Sequence, residues 1–171
     1  MQHLQKLQKN VEHRLSNIHS AFSLPLDEIH LMTLPPRHCH RLFERYKHEE
    51  EMDFLMKQLI NLNQNRLYII GSNQMGTMIS LPSLLKKKTL SYQSVFLIDE
   101  EGADLIDGGD YLCVTYRGNY EQSAYWGQQL AQYAHAHKFK IRGDLLEILW
   151  IDIHTTSDES EYITQLQLPI A

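Results

Sequence analysis

Cysteine is nearly absent from this chain. Its two residues, Cys39 and Cys113, are too few for a disulfide framework and lie at no metal-motif spacing, which argues against a secreted scaffold and a thiolate zinc site. No apolar run approaches the roughly 18 residues that span a bilayer, and Met1-Gln2-His3-Leu4 opens no signal-like segment. A cytoplasmic protein with no membrane partner is the expectation. Basic charge is scarce too: 16 Lys and Arg stand against 21 Asp and Glu, and Lys86-Lys87-Lys88 is an isolated run. Binding duplex DNA takes a basic face that displaces counterions from phosphate, so this chain alone is expected to bind DNA poorly. A Gly-rich phosphate loop and a nucleophile motif are also missing, so no cofactor is expected and a non-enzyme is the first reading.

What remains is sufficient for a core. A length of 171 residues with 43% apolar residues fits one domain plus a short extension. Residues 1–23 read as that extension: Leu4, Leu7, Val11, Leu15, Ile18 and Phe22 recur at spacings of three and four, the signature of an amphipathic helix. Its apolar seam either folds onto its own domain or forms half of a two-helix coiled coil. Leu24-Pro25 ends it, because proline disfavours helix in the residue before it.

Residues 24–171 read as the globular domain. The pattern predicts strands at Glu28–Leu34 and Arg37–Tyr46 around the Pro35-Pro36 break. A helix from His48 to Leu62 comes next, then strands Arg66–Ser72, Met75–Leu81 and Ser91–Ile98. After the Asp107-Gly108-Gly109-Asp110 turn come a strand Tyr111–Arg117 and a helix Glu121–His137 whose inner positions, Ala124, Gly127, Leu130, Ala131 and Ala134, are read as small. Strands Leu145–Ile153 and Tyr162–Leu168 close the chain. Tyr46-Lys47, helix, Leu67–Ile70 answers Tyr116-Arg117, helix, Leu145–Ile151. The fold expected is α+β: two strand-helix-strand-strand units forming a curved sheet around a central cleft, plus the N-terminal helix. Such junctions are common ligand sites.

One residue interrupts the most apolar strand. In Leu145-Leu146-Glu147-Ile148-Leu149-Trp150-Ile151, alternation puts Glu147 on the face of Leu145, Leu149 and Ile151. Desolvating a carboxylate costs several kcal/mol in order of magnitude unless donors or a cation compensate, or it takes up a proton. The plainer reading pairs Glu147 with Arg117 or Arg142, or turns it to solvent at a sheet edge. The functional reading gathers tyrosines around it: Tyr46, Tyr68, Tyr116, Tyr120 and Tyr162, whose faces attract cations and stack on flat ligands.

Tyr111–Tyr116, Gly143–Trp150 with Glu147, and Glu161–Ile170 led by Glu161-Tyr162 together resemble the GyrI-like effector-binding domain of MerR-family, multidrug-sensing transcription regulators. The resemblance is strongest over the last 60 residues or so and looser before them. It implies a GyrI-like curved sheet and a pocket for a hydrophobic, cationic small molecule, with Glu147 as its acidic floor. Tyr162 and Leu149 are implied as neighbours, and Tyr46 and Tyr68 as looser matches. It also implies a homodimer through the N-terminal helix, with DNA reached only through a DNA-binding domain absent from this chain. One departure stands out: Gly118 and Ser123 occupy places where drug-binding relatives put aromatic residues, so a wider or more polar pocket is expected. Three alternatives remain: a hydrolase of the same fold with Glu147 as general base, a metal site from His30, His38 and His40, and a gyrase-inhibitor-like protein-binding module.

Overall fold

The computed structural model describes residues 2–63, 73–86 and 90–171. The chain opens with helix α1 (Gln2–Phe22), uninterrupted by glycine or proline, and leaves it at Leu24-Pro25. Strands β1 (His30–Leu34) and β2 (Arg37–Tyr46) follow, separated by the two prolines. Helix α2 (Glu49–Leu62) begins with three glutamates, Glu49, Glu50 and Glu51, a charge favoured at the positive end of the helix dipole. After β3 (Met75–Ile79), a one-turn helix α3 (Leu81–Leu85) takes up Leu81, which strand alternation had claimed. Pro82 explains the change: it sits in the first turn of the helix, where its missing N–H costs nothing.

Next come β4 (Tyr92–Ile98), β5 (Asp104–Ile106) and β6 (Gly109–Arg117). The three-residue β5 is too short to leave a period in the sequence. Helix α4 (Gln122–Ala136), β7 (Leu145–Ile151) and β8 (Ile163–Pro169) complete the fold. Strand β7 stops at Ile151 rather than Ile153 because Asp152 accepts from the His154 N–H and turns the chain. Among the described residues, no helix is long and apolar enough to cross a membrane.

Among the described residues, all eight strands join one antiparallel sheet in the order β1-β6-β8-β7-β3-β4-β2-β5. The order contains the duplication. Strand, helix, strand, strand is β2-α2-β3-β4 in the first half and β6-α4-β7-β8 in the second. In the sheet each half places its third strand between its first and second, and the halves meet at β3 and β7. Among the described residues the counterpart of Leu145–Ile151 is Met75–Ile79; Leu67–Ile70, with the strand expected at Arg66–Ser72, lie outside the described residues. The short strand before each unit crosses over: β1 pairs with β6, and β5 pairs with β2.

Side chains alternate between two buried layers. Leu145 and Leu149 join the large core shared with α2 and α4, whereas Leu146 and Ile148 fill a smaller cluster on the other face. Ile151 breaks the expected alternation. The register between β7 and β8 shifts after Leu149, and Ile151 packs with Ala21 of α1 and with Ile163 instead. On α4 the inner row is Ser123, Gly127, Leu130, Ala131 and Ala134; Ala124 is only half-buried. Gly127 lets the helix close on its neighbours, since a Cβ there would lie 2.7 Å from Leu84 Cδ1 and 3.0 Å from Leu145 Cδ2.

Helix α1 docks on its own domain through part of its surface. Ala21 is buried, Ile18 is half-buried, and Arg14 Nη2 donates to the His154 carbonyl at 2.9 Å, so one face is docked on the domain. Leu4, Val11, Leu15 and Phe22 remain exposed, Leu4 at 69% and Phe22 at 65%.

Candidate functional site

Glu147 lies in the middle of β7, 1% exposed, on the face covered by the helices. Hydroxyls from both halves of the fold donate to its carboxylate. Thr77 Oγ1, directly opposite on β3, donates to Oε2 at 2.9 Å, and Ser123 Oγ from the first turn of α4 donates to Oε1 in a very short contact. The Ser123 hydroxyl is itself 2.7 Å from Tyr116 Oη on β6. The arginines offered as partners bond elsewhere: Arg117 Nε donates to the Ser160 carbonyl and Arg142 Nε to the Ile170 carbonyl.

The tyrosines gather from both halves. Burial pushes the Tyr46 phenol well above its usual range, and the nearby Glu147 carboxylate adds to the rise. Thr77 opposes the rise; among the described residues the buried Tyr46 hydroxyl meets no partner at full hydrogen-bond geometry, while its ring stacks on Tyr92 at 4.7 Å. Tyr120 is raised likewise by burial, then by Asp152 and Glu147, and stacks on Tyr162 at 5.4 Å. Tyr46, Tyr116, Tyr120, Tyr162 and Leu149 thus pack in one region with Glu147, all within or against the large core or in contact with a member of it. Tyr68 lies outside the described residues.

A cavity of about 110 Å³ adjoins this cluster. Tyr120, Tyr162 and Leu149 line it, together with Met52, Met56 and Met75. Its rim carries Asp53, Asp152 and Glu159, with His154 among them. Glu147, Tyr46 and Tyr116 are not part of this lining: the expected acidic floor sits one layer deeper, next to Tyr120 and Leu149. The departures at Gly118 and Ser123 have local causes. Gly118 has φ of +113°, a conformation open to glycine and closed to an aromatic residue, and it starts the turn into α4. Ser123 places a donor, rather than a ring, on the carboxylate.

Sequence reasoning missed Thr77 and the rim. A lone hydroxyl residue in the middle of Met75–Ile79 was a signal for Thr77, by the logic that singled out Glu147. The rim has no such signal, since α2, the turn after β7 and a 3₁₀ turn at Glu159–Glu161 meet only in three dimensions. The three histidines do not converge: His30 Nδ1 lies 3.2 Å from the Glu28 carbonyl, His38 Nδ1 3.2 Å from the Gly102 carbonyl, and His40 pairs with Asp99 at 2.9 Å. Among the described residues, no three His, Cys, Asp or Glu side chains are placed to hold a metal ion.

No family model and no curated protein matches this sequence. Solved structures do match its fold. The C-terminal domain of EcmrR superposes with a TM-score of 0.61 at 15% identity, over 84% of this chain and 97% of that one. EcmrR in its complex with DNA gives 0.66 at 14%, over 98% of this chain and 68% of that one. SAV2435 bound to tetraphenylphosphonium gives 0.50 at 15%, over 84% and 94%, and a hydrolase from Listeria innocua gives 0.52 at 9%, over 89% and 96%. These likenesses define the class of fold: a GyrI-like α+β domain, built as a curled eight-stranded antiparallel sheet with helices on one face.

Proposed function

We propose that this chain is the ligand-sensing module of a MerR-family-like transcription regulator and takes a hydrophobic, cationic small molecule at the Glu147 cluster. The observation that carries the reading is a carboxylate 1% exposed in a wall of tyrosines. Keeping such a group in a core is costly, and the Thr77 and Ser123 hydroxyls answer it with neutral donors. A cation that replaced them would gain a full counter-charge and the faces of Tyr46, Tyr120 and Tyr162. The acidic rim of Asp53, Asp152 and Glu159 favours the same sign of ligand at the entrance.

The cavity of about 110 Å³ is smaller than a tetraphenyl cation, so binding requires its walls to move. Met52, Met56 and Met75 suit this, because unbranched thioether side chains repack easily. The stacked Tyr120 and Tyr162 would swing aside to admit the cation to Glu147. In this reading residues 1–23 form a dimerisation helix, residues 24–171 the binding domain, and DNA is reached through a DNA-binding domain outside this chain. SAV2435, of the same fold, binds tetraphenylphosphonium, which supports the choice of ligand class.

Isothermal titration of tetraphenylphosphonium and of neutral triphenylphosphine oxide tests the proposal. With Glu147→Gln the cation should lose roughly 1 to 3 kcal/mol, the scale of a charge-assisted contact, and the neutral ligand little. Equal binding of the cation by both proteins would leave Glu147 a structural residue. A hydrolase with Glu147 as general base is the rival reading, favoured by the Ser123 hydroxyl seated on the carboxylate and by the hydrolase of the same fold. Turnover of p-nitrophenyl esters that disappears in Ser123→Ala would decide for it.

A further inference from the structure

The opposite face of the sheet holds a second polar cluster. The sheet curls until its two ends meet there, so that Arg37 of β2 lies with Cζ 5.8 Å from the ring centre of Tyr111 on β6, although four strands separate β2 from β6 in the sheet. Beside Tyr111 a cavity of about 150 Å³ opens inside the curl, walled by Met78, Leu105 and Leu146 and carrying Arg41 and Arg142 with Asp107 and Asp144.

Three guanidiniums surround this spot. Burial raises the Cys39 thiol, with Arg41 and Arg37 opposing the rise; burial also raises the Tyr111 phenol, with Arg37 and Arg142 opposing it. Among the described residues, Arg37 Nε and Nη2 and Arg41 Nε are buried and meet no acceptor at full hydrogen-bond geometry; the Tyr111 hydroxyl beside Arg37 and the Cys39 thiol beside Arg41 are uncharged and supply no counter-ion. Nε and Nη2 share one edge of a guanidinium, and their parallel N–H bonds fit two oxygens of one carboxylate or phosphate. Among the described residues, none of the three arginines is in an ion pair. Two of the nearby carboxylates serve the main chain instead: Asp104 Oδ2 accepts from the Arg41 N–H at 3.0 Å and Asp144 Oδ1 from the Leu81 N–H at 2.9 Å.

A buried charged donor left unpaired is costly, and where one occurs in a native fold a water or an ion commonly answers it. We propose that this inner face of the curl binds a small oxyanion, a carboxylate or inorganic phosphate, gripped by Arg37 and Arg41 with Arg142 at the rim. The site lies across β7 from Glu147, since Leu146 lines it while Glu147 faces the helices, and it does not depend on the cation pocket.

The arginine Nε–H signals of the ¹⁵N-labelled protein report on the site directly. Titration with sodium phosphate, and separately with sodium acetate, should move the Arg37 and Arg41 signals along a saturating curve. Sodium chloride at the same ionic strength should not, and the tighter of the two oxyanions identifies the source. Arg41→Met should weaken that binding roughly tenfold or more, the scale of a lost charge-assisted hydrogen bond, and Glu147→Gln should leave it unchanged. Signals that stay still, or that follow chloride equally, would overturn the proposal, as would parent-like affinity in Arg41→Met. If Arg41→Met does not fold, the titrations of the parent protein decide alone.

Discussion

Thr77 and Glu147 form the middle pair of the ladder that joins the two halves of the sheet, each the third residue of its strand, and the threonine hydroxyl donates to the carboxylate at 2.9 Å. Directly opposed residues of an antiparallel pair point to the same face. The place that carries a carboxylate in one half thus carries its hydrogen-bond donor in the other.

Replacing Thr77 by Val keeps the shape and removes the donor from a buried carboxylate. Thr77→Val should lower the unfolding free energy by about 1 to 3 kcal/mol. In a double-mutant cycle with Glu147→Gln, measured by urea denaturation, a coupling of roughly 0.5 kcal/mol or more is expected. Additive effects would mean that the two side chains do not support each other.

Gly76, the neighbour of Thr77, has no room for a methyl group. A Cβ there would meet the Phe96 ring and lie 2.6 Å from the Glu147 carbonyl oxygen, which cannot withdraw without opening the seam. Gly76→Ala should destabilise by about 1 to 3 kcal/mol, as overpacking of a core does. It should also weaken any ligand that uses Glu147. A thermal midpoint equal to the parent's would refute this account of the seam.

His154 gives the rim a pH dependence. Its bond to Asp152 raises its pKa above 6.5, against burial; the Asp152 and Asp53 charges favour the cation and Arg14 opposes it. Because the folded value is the higher one, the stabilisation is fully present below about pH 6.5 and is lost as pH rises through the folded pKa. Asp152→Asn keeps an acceptor for the turn and removes the charge, so it should flatten this fall in urea midpoint above pH 6.5. An unchanged profile would assign the dependence to another group.

Helix α1 leaves Leu4, Val11, Leu15 and Phe22 in water while Ala21 seals the end of β7. Deleting the helix would therefore uncover the domain as well as the seam. Val11→Glu with Leu15→Glu spares the docked face, and sedimentation should show a dimer for the parent and a monomer for the variant. A dimer that survives both changes would remove the helix from the interface.

The candidate site was partly legible. Glu147 announced itself because a lone charge in a seven-residue apolar strand has a cost that something must offset, and the tyrosines were visible as a surplus with no other purpose. Their convergence was not visible, for Tyr46 and Tyr116 lie 70 positions apart in different halves, and Tyr46 comes near Glu147 only because β3 and β7 join those halves. Ile151 shows the limit in the other direction. Strict alternation assigned it to the Glu147 face, but one shift of register after Leu149 sent it to α1.

The sequence by itself determined the element types over most of the described chain, the amphipathic N-terminal helix and the strand-helix-strand-strand repeat, because hydrophobic period, glycine and proline act over a few residues at a time. Which strands became neighbours, how deep Glu147 sits below the cavity, and which hydroxyls hold it were decided only by tertiary structure. So was the meeting of Arg37 with Tyr111. Each of these depends on the curl and crossed edges of an eight-stranded sheet, a property of all its pairings together and of no single segment.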